Sequence, residues 1–364
     1  MKKIKIILFV LTLGIIPFTV LSQFNETREF TREFKILPET RVEISNKYGN
    51  LVINTWDKDS VVINVKINVE EKKLAKLEKT MKGIDFEFTD SSHFLIVKTI
   101  VNKTKSALQK EIQKFKESLL QDNGSVEIDY TVWLPENCEL ILDNKYGNIF
   151  MSDFSGNCEI TLSNGNLKAH DLLGTTTINL NFADAIINAL NSAQLNTNYS
   201  DVEVETSNQL NIESKQSAFE LFKTSELDIS SRRDKFRIRE ADKVNAKGNF
   251  TSFRIAELND RANIQADYGN INIEKINPEF SLIFIESKST DINLYFEPES
   301  NFGFELTKTK TDIDFCREIE IADEATLDEK DQKIKISGKY GSNQPKTDKL
   351  FINATLGSVN IFSN

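Results

Sequence analysis

The chain has 364 residues, 45 basic and 55 acidic side chains and a net charge of −10, which disfavours nucleic acid or an anionic membrane as partner. Three cysteines and two histidines, with no CxxC pair, HExxH motif or glycine-rich phosphate loop, announce no metal site, nucleotide site or disulfide scaffold, and no cofactor is expected.

The first element in chain order is "MKKIKIILFVLTLGIIPFTVLSQ", in which lysines precede a short apolar run and small residues. Residues 1–22 read as a secretory signal peptide. Its removal would leave 42 basic against 55 acidic side chains, a net charge of −13, and no transmembrane segment beyond it. The mature protein is expected in the periplasm, on the outer-membrane surface or outside the cell.

Residues 23–134 read as a starting coil with short capping helices, continuous with residues 135–364. Glu70 to Lys82 places Leu74, Leu77 and Met81 at helical spacing, and Thr104 to Leu120 does so with Leu108, Ile112, Phe115 and Leu119. Strand-like runs begin at Ile84 ("IDFEF") and Val126 ("VEIDYTVWLP"). These elements are expected to close one end, because a stack of strands exposes its terminal edges.

From residue 135 to 364 one unit repeats. "NKYGN" occurs at Asn46 to Asn50 and again at Asn144 to Asn148, with "DYGN" at Asp267 to Asn270. With Gly147 as the reference position, equivalent residues are Gly165, Ala183, Ser200, Ser217, Asp234, Thr251, Gly269, Thr290 and Thr311, preceded by Gly49 and followed by Gly357. Steps of 17–21 residues are a solenoid period. Five residues before the reference the column is apolar throughout (Ile178, Leu195, Ile212, Ile229), as it is two and four residues after it (Ala185, Val202, Phe219; Ile187, Val204, Leu221). A spacing of two is strand geometry, and the gap of seven between the two sets requires a corner. Glycine or a small polar residue at the reference position is expected to supply the positive φ of that corner. The resulting fold class is all-β, a parallel β-helix or β-solenoid. After Ile334 an incomplete unit, "KISGKYGS", a polar loop and the final "ATLGSVNIF" are expected to close the far end, with the Thr311 unit stacked directly on the Thr290 unit.

The stretch "YTVWLPENCELILDNKYGNIFMSDFSGNCEITLSNGNLKAHDL" and the recurring Gly-Asn-Ile/Leu triplet resemble the bacterial putative-adhesin family of β-strand-repeat envelope proteins, related to the head GIN auto-transporter adhesins of Bacteroidetes. The resemblance covers roughly residues 37–364. It implies a right-handed β-helix at the cell envelope, a binding role with a glycan or protein partner, and no catalytic residues. The expectation is a non-enzymatic surface module; the alternatives are a polysaccharide lyase or glycoside hydrolase on the same scaffold, and a periplasmic envelope-sensing protein.

Three sets of residues are candidates. Cys138 and Cys158 stand in matching phrases, "NCEL" and "NCEI", and neighbouring units could bring them within disulfide range, although their offsets from the reference differ by two. Just after the turn, Asn148 and Asn166 suit an amide ladder, whereas Asp184 with Asp201 and Asp291 with Asp312 would set carboxylates at strand spacing, open to calcium or to acid and nucleophile roles. Arg232, Arg233, Lys235, Arg237 and Arg239 form a basic stretch, with Glu220 and Arg254 expected on either side of Arg237; it reads either as an exposed charge ladder or as a docking patch for an anionic partner.

Overall fold

A computed structural model describes residues 23–37, 39–101, 124–342 and 347–364. Among these, one continuous sheet joins every strand. The N-terminal part holds β1 (Phe24–Lys35), β2 (Arg41–Lys47), β3 (Leu51–Trp56), β4 (Ser60–Glu71), helix α1 (Leu74–Lys82), β5 (Ile84–Asp90), β6 (Phe94–Val101) and β7 (Ser125–Pro135). The repeats come next as β8 (Glu139–Lys145), β9 (Ile149–Met151), β10 (Cys158–Asn198), β11 (Asp201–Lys215), β12 (Ala218–Arg232), β13 (Lys235–Asn249), β14 (Ser252–Asp267), β15 (Asn270–Ile276) and β16 (Leu282–Phe296). The chain ends with β17 (Phe302–Thr309), β18 (Asp312–Phe315), β19 (Ile319–Asp328), β20 (Lys333–Tyr340) and β21 (Asp348–Ser363).

Pairing through the repeats is parallel, and each residue faces its equivalent one unit later. Leu195 lies opposite Ile212, which lies opposite Ile229, then Ala246, Ile264 and Ile285. On the other side of the corner Ala185, Val202, Phe219, Phe236, Phe253, Ile271 and Ile292 form a second such row. Both rows are buried, and so is the third, from Ile53 to Ile361, apart from Phe315 near the open end. Burying each large apolar side chain is worth roughly 1.5–3 kcal/mol, so a repeated register places the same gain in every unit. Phe219 and Phe236 stack with ring centroids 4.6 Å apart and planes within 2°, and Phe236 continues to Phe253 at 5.5 Å.

The corner differs from the expectation by one residue except in the last unit, where the reference residue Gly357 itself has a φ of 88°. Positive φ falls on the residue before the reference position: Tyr48 (66°), Tyr146 (59°), Phe182 (51°), Tyr199 (51°), Gln216 (52°), Arg233 (64°), Phe250 (56°) and Tyr268 (56°). Glycine at the reference position answers a different need, close approach. A Cβ on Gly147 would stand 1.9 Å from the Gly49 carbonyl oxygen, and one on Gly165 would stand 2.0 Å from that of Gly147. Where the reference residue carries a side chain, it points inward and bonds the corner: Ser217 Oγ donates to the Lys215 carbonyl at 3.1 Å. The first Asn of "NKYGN" is buried for a related reason, Asn144 Nδ2 donating to the Gly49 carbonyl at 3.0 Å.

At the N-terminal end β6 and β7 lie parallel to β2 and β3, and antiparallel strands carry the sheet outward: β5 on β6, β4 on β7 and β1 on β4. Among the described residues, these strands extend this end of the sheet, and α1 accompanies them. Helix α1 lies within the predicted Glu70–Lys82 segment and buries Leu77 and Met81. The helix expected at Thr104–Leu120 lies outside the described residues.

The C-terminal order is a correction. Strand β21 does not close the far end; it lies between β16 and the pair β17 and β18, with Ile352 opposite both Ile285 and Leu306 and Val359 opposite both Ile292 and Ile313. After β16 the chain steps over one strand position, leaving two facing edges of unpaired backbone that β21 satisfies from both sides. Closure falls instead to β20, antiparallel on β17, and β19, antiparallel on β20. "KISGKYGS" thus belongs largely to an antiparallel strand and is no repeat unit.

Candidate functional site

The outward side chains at the corners form a column that residue preferences for turns do not reveal. Because the residue with positive φ projects away from the core, the aromatic residues there are unusually accessible: Phe182 is 56% exposed, Tyr199 45%, Phe250 51% and Tyr268 45%. They stack in pairs, Phe182 on Tyr199 at 4.8 Å and 5°, and Phe250 on Tyr268 at 5.0 Å and 12°. Tyr48 on Tyr146 makes a third pair at 5.5 Å and 11°. The signal was present in "KYGN", "NFAD", "NYSD", "NFTS" and "DYGN": an aromatic residue before the reference position recurs although the core leaves that place free.

Between Tyr199 and Phe250 the column carries Gln216 and Arg233 instead. At about 4.8 Å per strand the two ring pairs are separated by roughly 14 Å. The basic stretch lies in this interval, and the structure divides it. Arg239 pairs with Glu220 at 2.9 Å and lies 4.7 Å over the Phe222 ring, and Arg254 pairs with Glu274. Arg237 lies opposite Glu220 on one side and Arg254 on the other, and with Glu220 held by Arg239 it has no ion pair among the described residues. Arg232, Arg233 and Lys235 are likewise exposed and unpaired among the described residues.

Asp234, at the reference position of this unit, is buried. Its carboxylate accepts from the Ser217 backbone N–H at 2.7 Å, the Ser214 hydroxyl at 2.6 Å, the Ser231 hydroxyl at 2.7 Å and the Arg232 backbone N–H at 3.0 Å. Its hydrogen-bonding capacity is spent on the corner backbone and its serines.

On the strand face leading into the corner, a shallow cavity of about 340 Å³ is lined by Asn211, Glu213, Asp228, Asn245, Lys247 and Gln265, among others. Two residues nearer the corner on the same face come Lys215, Arg232 and Asn249, in register with one another. The polar groove therefore runs on to Arg232 at the edge of the corner, with Arg233 on the corner itself and Lys235 at the start of the next strand.

The amide ladder is present: Asn148 Nδ2 donates to Asn50 Oδ1 and Asn166 Nδ2 to Asn148 Oδ1, each at 3.0 Å. Asp201 joins Asp184 through its backbone N–H, which donates to Asp184 Oδ1 at 2.9 Å. Asp291 and Asp312 are not neighbours, since Ser358 of the inserted strand lies between them.

Cys138 and Cys158 are buried and free. Cys158 lies opposite Leu140, so the offset of two places Cys138 out of register with it. Burial pushes the Cys138 thiol up to about 12 and the Cys158 thiol higher still. Cys316, half buried, is also raised, chiefly by desolvation. Among the described residues, no helix is long and apolar enough to cross a membrane.

No family model and no curated protein matches this chain. Among solved structures, a putative cell adhesion protein from Clostridium sporogenes is 11% identical, covering 93% of this chain and 100% of that one with a TM-score of 0.20. A putative adhesin from Bacteroides fragilis is 9% identical, covering 92% and 97% with a TM-score of 0.23. At that level of similarity no functional argument passes from those proteins to this chain.

Proposed function

We propose that the chain is an exported, non-enzymatic binding module of the cell envelope, wound as a right-handed parallel β-solenoid of 17–21 residues per coil. Parallel register between equivalent residues, unit after unit, supports the winding. The binding reading is carried by one observation: the most exposed phenylalanine and tyrosine rings stand at the corners, stacked in pairs, while rings such as Phe219, Phe236 and Phe253 are buried in the core. Exposed rings stacked in pairs along the corners, beside rows of amides and carboxylates, are the chemistry of a recognition surface.

The partner we assign is a glycan. A screen of immobilised envelope polysaccharides against residues 23–364 tests this, with the same glycans recovered and sized afterwards. Retention of at least one polysaccharide with its chain length unchanged is expected. Shortened chains or unsaturated sugar ends would make the protein an enzyme, and retention of none would remove the glycan.

A further inference from the structure

Non-aromatic residues stand at several corners, Asn164, Ser289, Lys310 and Leu356 among them, but the two-unit gap at Gln216 and Arg233, flanked by stacked ring pairs, coincides with the unpaired cations and with the polar groove. We infer that Arg232, Arg233 and Lys235 form an anion site for an acidic sugar residue, carboxylated or sulfated, of a glycan whose neighbouring residues lie in the groove of Asn211, Asn245 and Gln265. This rests on the glycan reading above and adds to it the ligand's charge and its place.

Three independent features meet here. The first is charge. In a chain of net charge −10, an exposed basic cluster without acidic partners is an isolated positive region, and its field favours an anion. None of the acids nearby is ion-paired with it among the described residues: Glu220 is held by Arg239, while Asp234, buried in hydrogen bonds to the corner, and Asp228, which accepts from Asn245 Nδ2 at 3.0 Å, offset part of the cluster's charge without engaging its side chains. Glu213 is the remaining acid of the groove, across Ser230 from Lys247. Guanidinium groups suit this role because their planar fork matches a carboxylate or sulfate edge.

The second is shape. Tyr199 and Phe250, each backed by its stacked partner, bound the interval from either side, so a ligand seated on Arg233 has an aromatic wall at both ends. Ring faces are apolar platforms for the C–H faces of a sugar and offer nothing comparable to a bare inorganic anion. The third is the groove. Its rows of amide, hydroxyl and carboxylate groups supply donors and acceptors for hydroxyls, whereas an extended acidic peptide would want unpaired sheet backbone, which parallel pairing on both sides denies it.

Polygalacturonate, dextran sulfate, neutral dextran and poly-L-glutamate serve as probes, with affinity measured by calorimetry at low salt. Polygalacturonate or dextran sulfate is expected to bind, weakening as salt rises, and comparison of the two separates carboxylate from sulfate recognition. Arg232→Ser with Arg233→Asn, the asparagine keeping the left-handed corner accessible, should lose about tenfold or more. Lys235→Ser with Arg237→Ser leaves the corner backbone untouched and should lose at least about threefold, so the site is tested even if the first variant is unstable. Arg239→Ala with Arg254→Ala should stay within about twofold, since both are engaged elsewhere.

Losses below twofold in both test variants would overturn the site, as would poly-L-glutamate binding more tightly than either acidic glycan. Binding of neutral dextran alone would overturn the site and leave the glycan reading standing. Binding of no saccharide here or in the polysaccharide screen would overturn both.

Discussion

Ser358 donates its hydroxyl to Asp291 Oδ1 at 2.9 Å across 67 residues of sequence. The contact exists because β21 fills the strand position that the chain skips after β16. The sheet hydrogen bonds of two antiparallel strands and the Thr311 unit reach the rest of the protein through β21, whose far neighbours are β17 and β18. Ring contacts of Phe302 and Tyr340 with Phe280 and Phe296, and a Tyr340 hydroxyl bond to the Glu297 carbonyl, supplement them. Truncation before residue 348 should therefore uncouple everything beyond β16. Hydrogen exchange is expected to show residues 302–340 losing protection while 139–276 keep theirs. Protection retained at 302–340 would mean that β17 pairs with β16 directly.

Asp234→Ala removes the acceptor for two backbone N–H groups and two hydroxyls at a buried corner. Leaving such groups unsatisfied costs about 1–3 kcal/mol each, moderated by relaxation, so a loss of about 2–4 kcal/mol is expected on urea unfolding. A loss below about 1 kcal/mol would show that the serines find other partners.

Gly147→Ala places a Cβ against the Gly49 carbonyl oxygen, whereas Ala183 already holds that position in its own unit. The expected loss is about 2 kcal/mol or more for Gly147→Ala and about 1 kcal/mol or less for Ala183→Gly. Equal small effects would contradict the close-approach explanation of the "YGN" turns.

Burial holds the Cys138 thiol protonated up to about 12, against an ordinary value of 9.0. A thiol raised on folding contributes stability that is intact below pH 9 and is lost as pH climbs toward 12, because the unfolded chain releases its proton first. Urea midpoints from pH 8 to 11 should fall more steeply for the parent chain than for Cys138→Ala. At pH 8 a thiol reagent should modify Cys316 in the folded protein and spare Cys138 and Cys158. Rapid labelling of the latter two would contradict their burial.

What could be read from the sequence was whatever repeats. The apolar rows around Ile212 and Phe236 were legible because the core imposes the same choice in every unit. Arg237 beside Glu220 came from that register without further information. Two things were not legible. The position of β21 depends on which edges the five-residue step from 297 to 301 leaves open, and the pattern of its own residues would suit any place in the stack. The corner's φ could not be assigned from residue preference, since aromatic residues rarely adopt positive φ and glycine beside them is the more obvious choice. The aromatic column was hidden for the same reason: "NKYGN" has the composition of a turn, and only the corner's actual φ shows that its tyrosine side chain must point outward.

The central claim is that equivalent positions stack at one strand width per unit, with the chain's last unit inserted one place early. Spin labels at Asn148 paired in turn with Ser252, Ser358 and Asp312 test it by dipolar spectroscopy. The stacking order gives separations of about 29, 43 and 48 Å, for six, nine and ten strand widths at ~4.8 Å each. Distances rising in that order, with Ser358 nearer than Asp312, are the predicted result. Separations that do not scale with the number of units, or Asp312 nearer than Ser358, would contradict the account.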